Sequence, residues 1–198
     1  MVIVELSGGL GNQLFQYAVS RCVALKLNTE LKLDLSKAKV SFNPKHHGFY
    51  RLGDFNIQEN IATPEEVAHV KATGIFSPPF PKLEDNRRDI FISGHSFHSE
   101  GAFIEIADII RREFTLKNPL HPISSFWARK IFAAESSVAL HIRHGDYSKG
   151  THIHVVGLIP LDYYRTCIAE LKKFFPTQIL KLFKKIYRSR RRLLKFSR

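Results

Sequence analysis

A chain of 198 residues that is 44% apolar and 24% charged, with 16 Phe and a single Trp, has the composition of a folded soluble domain rather than a disordered one. Its two cysteines, Cys22 and Cys167, are isolated, which excludes a disulfide-stapled secreted scaffold and fits a reducing compartment. The net charge of +12 sits at one end: residues 178–198 hold nine of the 30 basic residues and no acid, leaving 21 basic against 18 acidic residues elsewhere, so the body of the chain is not a nucleic-acid binder by charge.

Met1 to Tyr17 has no basic flank and is interrupted by Glu5, Gly8, Gly9 and Gly11, so it reads neither as a signal peptide nor as an anchor. No window approaches the roughly 18 uninterrupted apolar residues of a membrane span. The expectation is a chain that starts at Met1 and stays in the cytoplasm.

In chain order, residues 2–6 (VIVEL) predict a short strand and GGLGN a turn. From Asn12 onward Leu14, Phe15, Ala18, Cys22 and Leu25 recur at helical spacing. The alternation in residues 31–35 (LKLDL) predicts a second strand, so the chain opens with a βαβ unit on a parallel sheet. Thr63-Pro64-Glu65-Glu66 predicts a capping box and a helix from Pro64 to about Ala72. Residues 77–86, with three prolines, predict a loop, and 89–93 a strand. Phe103, Ala107, Ile110 and Phe114 mark a helix over about 100–114, and another helix is expected within 122–134. Residues 138–142 (VALHI) predict a strand covered on both faces, and Pro160 opens a helix with Tyr164, Ile168, Leu171 and Phe175 on one side.

Two motifs carry chemistry. Gly8-Gly9-Leu10-Gly11-Asn12-Gln13 lies between a strand and a helix, where backbone N–H groups can face an anion and the amides of Asn12 and Gln13 can bind sugar hydroxyls or phosphate. It lacks the Gly-Lys-Ser/Thr ending of a phosphate-binding P-loop. Leu14 stands where a dinucleotide fingerprint has its third glycine, although Asp34 is spaced for a ribose contact, which leaves a nicotinamide site as a minor alternative. A glycine turn that serves only the backbone is the plain alternative.

The second motif is His141-Ile142-Arg143-His144-Gly145-Asp146-Tyr147. An arginine at the carboxyl end of a parallel strand can neutralise a departing diphosphate without a metal, and Asp146 can orient Arg143 or cap the next turn. The histidine pairs 46/47, 95/98, 141/144 and 152/154 lack the carboxylate or cysteine company of a metal site. No Asp-x-Asp exists to bridge a metal to a diphosphate, so no metal and no cofactor are expected.

Taken together, VELSGGLGNQLFQYA, FYRLGDFNI, ISGHSFHSEGAFIEIADIIRREFTLKNPL and SVALHIRHGDY with the later PLDYY resemble the α-1,2-fucosyltransferases of glycosyltransferase family 11, collinearly from Met1 to about Pro176. The resemblance implies a two-lobed α/β glycosyltransferase of the GT-B type with parallel sheets. It implies inverting, metal-independent transfer of L-fucose from GDP-fucose to the 2-hydroxyl of a galactose in a glycan acceptor. It assigns Arg143 and Asp146 to catalysis and Gly9, Gly11, Asn12, Gln13, Arg143, His144 and Gly145 to the donor, with His98, Ser99 and Glu100 near the acceptor.

Some positions depart from that pattern. His144 replaces a second arginine, His98 stands where glutamine is usual, and Gly101-Ala102 and His95 stand where larger residues are usual. On this reading residues 1–136 are an N-terminal lobe, 137–176 begin the nucleotide-binding lobe, and 177–198 are a basic tail foreign to the family. The chain would then be about one third shorter than the family, with most of its nucleotide lobe missing. That predicts little activity alone, or a non-catalytic remnant with a partial fold. Ile179, Leu182, Phe183, Ile186, Leu193 and Leu194 alternate with the basic residues, so the tail could form an amphipathic helix on an anionic membrane, with no nucleic-acid role.

Overall fold

A computed structural model describes residues 1–38, 49–73, 75–76, 89–94, 99–135, 137–140 and 158–174. The chain divides into two compact units, Met1–Pro119 and Leu120–Arg198, a break that falls ahead of the one expected after residue 136. No helix among the described residues is long and apolar enough to cross a membrane. The tail, and with it the expected membrane contact, lies outside the described residues.

The first unit is an α/β layer structure. Strand β1 (Val2–Glu5), helix α1 (Leu10–Lys26) and strand β2 (Leu31–Asp34) form the expected βαβ unit. Helix α2 (Pro64–Thr73) follows, then β3 (Ile75–Phe76) and β4 (Ile90–Ile92). The four strands form one sheet in the order β2-β1-β4-β3, and every pairing is parallel, with Val2 opposite Leu31 on one side and opposite Ile90 on the other. Residues 60–62 shield the β2 edge: Leu33 N donates to the Asn60 carbonyl at 2.7 Å and Ala62 N to that of Leu33 at 3.0 Å.

Strands β1 and β4 are buried on both faces, as strands inside a parallel sheet are expected to be. Val2, Val4, Leu31, Leu33, Ile90 and Ile92 pack with Ala18, Cys22 and Val23 of α1. Ile3 and Phe91 turn the other way, onto Val70 of α2. This second layer is thin in apolar contact and rich in ion pairs. Lys32 is bonded to Glu66, and Lys71 Nζ lies 4.4 Å over the Phe91 ring, 3.9 Å from Glu5 and 3.7 Å from Asp34. The capping box of α2 is formed as expected: Glu66 N donates to Thr63 Oγ1 at 3.2 Å and Thr63 N to Glu66 Oε2 at 2.9 Å.

Three expectations are corrected. Helix α1 is not one-sided. Residues 16–24 are all buried, because the helix is covered by α3 (Ala107–Glu113) and the segment around residues 50–58 as well as by the sheet, while Leu25 of the expected stripe is 38% exposed. The helix expected from residue 100 begins only at Ala107. Before it, Glu100–Ala102 and Ile104–Ile106 are single 3-10 turns, separated by Phe103 (φ −141°). Gly101 is a poor helix former, and Phe103 leaves helical geometry to set its buried ring edge-on to Phe15, with ring centres 6.1 Å apart. Of the strand expected over residues 138–142, residues 138–140 are in no strand, since no described segment offers them a ladder, and 141–142 lie outside the described residues.

In the second unit, α4 (Pro122–Phe132) starts at a His121 cap whose Nδ1 accepts from Ile123 N at 3.3 Å, and α5 (Leu161–Phe174) places Tyr164, Ile168 and Leu171 on its less exposed side as expected.

A buried triad joins α1 to α3. Tyr17 Oη donates to Glu113 Oε2 at 2.7 Å and accepts from Gln58 N at 3.0 Å, and Arg21 Nε donates to Glu113 Oε1 at 3.1 Å. Burial and the Glu113 carboxylate hold the Tyr17 hydroxyl far above its ordinary range, so it stays a donor at any working pH. Tyr17→Phe should cost about 1–3 kcal/mol in urea unfolding, and Glu113→Ala about 3–5 kcal/mol, because it strands the buried Arg21. Equal small effects would show that the triad is not a unit.

Candidate functional site

In open parallel sheets, ligands bind outside the carboxyl ends of the strands, where the chain changes from running one way across the sheet to the other. That point here lies between β1 and β4: the connection from β1 to β2 passes through α1 on one face, and the chain then reaches β3 and β4 through α2 on the other. The loops at this point are Leu6–Gly9 after β1 and Ser93–Gly94 after β4. The glycine motif is therefore placed where such a fold binds ligands.

Gly8 needs its residue type, with φ 74° in the left-handed region. Gly9 and Gly11 do not. Gly9, the N-cap of α1, has φ −75° and ψ 173°, and a Cβ added at either glycine would meet nothing within 4 Å. Gly11 is exposed in the first turn of a helix, where glycine is less favourable than alanine. Two glycines that the fold does not demand leave the backbone bare at a helix N-terminus. The Gly9 cap position has no side chain to bond that terminus and no acidic residue lies in its first turn, so neither offsets its positive end. This arrangement suits an anion or a sugar that must approach the main chain closely.

Gln13 behaves differently from its expected part as a ligand-facing amide. It is fully buried, and every polar atom of its amide is taken by backbone. Nε2 donates to the carbonyls of Gly8 and Phe49, both at 2.9 Å, and Oε1 accepts from Arg51 N at 3.0 Å. Gln16, which the sequence analysis did not single out, does the same one turn on. Its Nε2 donates to Ser7 Oγ at 3.2 Å and to the Gly94 carbonyl at 3.0 Å, and its Oε1 accepts from Ser7 N at 3.0 Å. Both glutamines position loops. The available signal was their spacing: residues 13, 16, 17 and 20 share one helix face, so two amides stood on a face that also carries Tyr17 and Ser20.

Asn12 is half-buried at the helix start and makes contacts of its own. Asp34 is buried, and its Oδ1 accepts from Ser36 N at 2.9 Å, closing a turn after β2 rather than facing a ribose. Its register partner Glu5 is buried beside it and bonded to Lys37 Nζ at 2.7 Å. Ser99 Oγ accepts from Gly101 N at 3.3 Å and Glu100 pairs with Arg111 at 3.1 Å, so both serve the 3-10 turn and α3. His98, Arg143, His144, Gly145 and Asp146 lie outside the described residues, as do the paired histidines.

The segment expected from FYRLGDFNI is clamped at its far end. Tyr50 Oη donates to Glu59 Oε1 at 2.6 Å, and Lys117 Nζ to Glu59 Oε2 at 3.0 Å. These bonds hold the Glu59 carboxyl below the ordinary carboxylate range. A lowered folded value means stability that is present above the unfolded value, about 4.3, and lost as pH falls through the folded one. Wild type should therefore lose more stability than Glu59→Gln between pH 5 and acid values below 4, read as the difference between their thermal midpoints.

Gly11→Ala should raise stability by about 0.5–1 kcal/mol in urea unfolding. A loss of stability would show that the backbone at Gly11 needs glycine after all.

Two relatives give this geometry a chemical context. The chain is 29% identical over 202 residues to an alpha-1,2-colitosyltransferase of Escherichia coli, an alignment that covers 92% of this chain and 68% of that protein. It is 26% identical over 212 residues to the O-antigen biosynthesis glycosyltransferase WbnK of Escherichia coli, covering 90% and 70%. No family model matches the chain, and no solved structure matches it. Both relatives are glycosyltransferases, and this chain is their distant homologue.

Proposed function

We propose that the chain belongs to an inverting, metal-independent α-1,2-fucosyltransferase of family 11 that transfers L-fucose from GDP-fucose to the 2-hydroxyl of a galactose in an O-antigen-type glycan. The observation that carries this reading is the pair of glycines bare at the α1 N-terminus, in a chain similar over nine tenths of its length to an α-1,2-glycosyltransferase. In the reaction the acceptor 2-oxygen attacks the anomeric carbon of the donor, and its proton passes to a base. The bond from the anomeric carbon to the phosphate oxygen breaks, and GDP leaves with the electron pair. Arg143 would stabilise the charge that grows on the departing diphosphate, with Asp146 orienting it and His144 and Gly145 lining the same turn. Gly9, Gly11 and Asn12 would lie along the donor sugar, and Gln13 would hold the loop they stand on.

A second donor has a specific observation in its favour: the more similar of the two relatives described above is named for colitosyl rather than fucosyl transfer. The same leaving-group chemistry serves either sugar. The experiment supplies GDP-fucose and GDP-colitose in parallel with a galactoside acceptor and follows GDP release. Transfer from GDP-fucose supports the first reading, and exclusive transfer from GDP-colitose replaces it. Arg143→Ala should lower the rate by about 10²–10³-fold, the usual cost of one lost charge-stabilising group. Saturable GDP binding in the calorimeter, weakened in Gly11→Ala, would test the nucleotide site apart from turnover. Absence of GDP binding would favour the remnant.

A further inference from the structure

Arg51 stands out among the basic side chains near the glycine loop. Its backbone is fixed by Gln13, which bonds Arg51 N with one atom and the carbonyls of Gly8 and Phe49 with another, so residues 49–51 run alongside the turn that opens α1. Its guanidinium carbon lies 3.9 Å from the centre of the Phe49 ring. A guanidinium carried over a ring face can keep N–H groups for bonds to a ligand. No carboxylate among the described residues pairs with it, and the residue is exposed. Arg111 pairs with Asp108 and Glu100, and Arg165 with Asp162; Arg112 and Arg129 are exposed without a carboxylate partner among the described residues, as Arg51 is, but neither is carried over a ring there. The bond from Gln13 fixes where residue 51 stands whatever its side chain, and the Phe49 ring holds the guanidinium itself.

We propose that Arg51 is a substrate-contacting residue whose guanidinium edge binds a phosphate group. Planar, bidentate donors match phosphate oxygens, and a stacked guanidinium loses less freedom on binding than a free one. The proposal rests on the glycosyltransferase reading for the identity of the ligand, since the phosphate could belong to the nucleotide donor or to a phosphate-bearing acceptor. It does not rest on that reading for the site itself.

The test is calorimetry on the full chain with GDP, guanosine, inorganic pyrophosphate and galactose 1-phosphate, comparing wild type with Arg51→Gln, Arg51→Lys and Phe49→Leu. Arg51→Gln should weaken a phosphate ligand by about fivefold or more while guanosine binding and the thermal midpoint stay unchanged, because the side chain is exposed. Arg51→Lys should recover only part of the loss, since an ammonium cannot bond bidentately. Phe49→Leu should produce a smaller loss by releasing the stacked plane. A loss confined to GDP and pyrophosphate assigns the donor, and one confined to galactose 1-phosphate the acceptor. If wild type binds pyrophosphate through Arg51 but GDP no more tightly, the nucleotide-donor reading fails while the phosphate site stands. Unchanged binding of all three phosphate ligands in Arg51→Gln overturns the proposal, as does a wild-type chain that binds none of them.

Discussion

Gln13 and Gln16 project from the same buried side of α1, three residues apart, and their two amides make six hydrogen bonds to three loops at the carboxyl edge of the sheet. A buried amide without partners would be costly, of the order of 1–3 kcal/mol for each unsatisfied group, so the loops can be where they are only if all of them arrive together. The Gly8 turn, the Phe49–Arg51 segment and the Gly94 turn are thereby tied to one rigid helix. That helix is itself immobilised by burial on nearly every side and by the Tyr17–Arg21–Glu113 triad. The ligand edge of the sheet thus inherits its geometry from the core.

The two faces of the sheet are held by different physics. On the α1 face, large apolar side chains are removed from water completely, each contributing roughly 1.5–3 kcal/mol before entropy is counted. On the α2 face, Ile3, Val70 and Phe91 make a small apolar contact with Met1, Ala62 and Val67 against it, and ion pairs of Lys32 and Lys71 lie beside it. Glu5 and Asp34, side by side at the ends of β1 and β2, would repel one another there. Lys37 and Lys71 offset that repulsion, although Asp34 Oδ2 is left without a hydrogen bond.

Much of the frame was legible in the sequence where the signal is local. The β-branched run at Val2, the alternation at Leu31 and the Thr63–Glu66 box each report a backbone preference set within a few residues, and each appears as expected. What was not legible depends on distant partners. The break at Phe103 answers to a ring on α1, and the two-residue strand β3 exists only because β4 offers it a ladder. For the site, position was legible and role was not. The glycines could be placed on a strand–helix turn, but whether an amide faces a ligand or a carbonyl depends on the Phe49 loop, 36 residues away.

The grip of the two glutamines falls largely on main-chain atoms. Of the groups they hold, Gly8, Phe49, Arg51 and Gly94 offer only carbonyls and amide N–H groups, which every residue but proline also carries in full. At positions 49 and 51 the side chain is therefore uncoupled from loop position, whereas positions 8 and 94, with φ 74° and 109°, favour glycine. Relatives built on the same brace could exchange the residue at position 49 or 51 without disturbing the turn beside it, so substrate preference can drift by single substitutions while the scaffold stays constant. Uncharged amides also make the brace indifferent to pH and ionic strength, unlike the charged attachment of α2 on the opposite face.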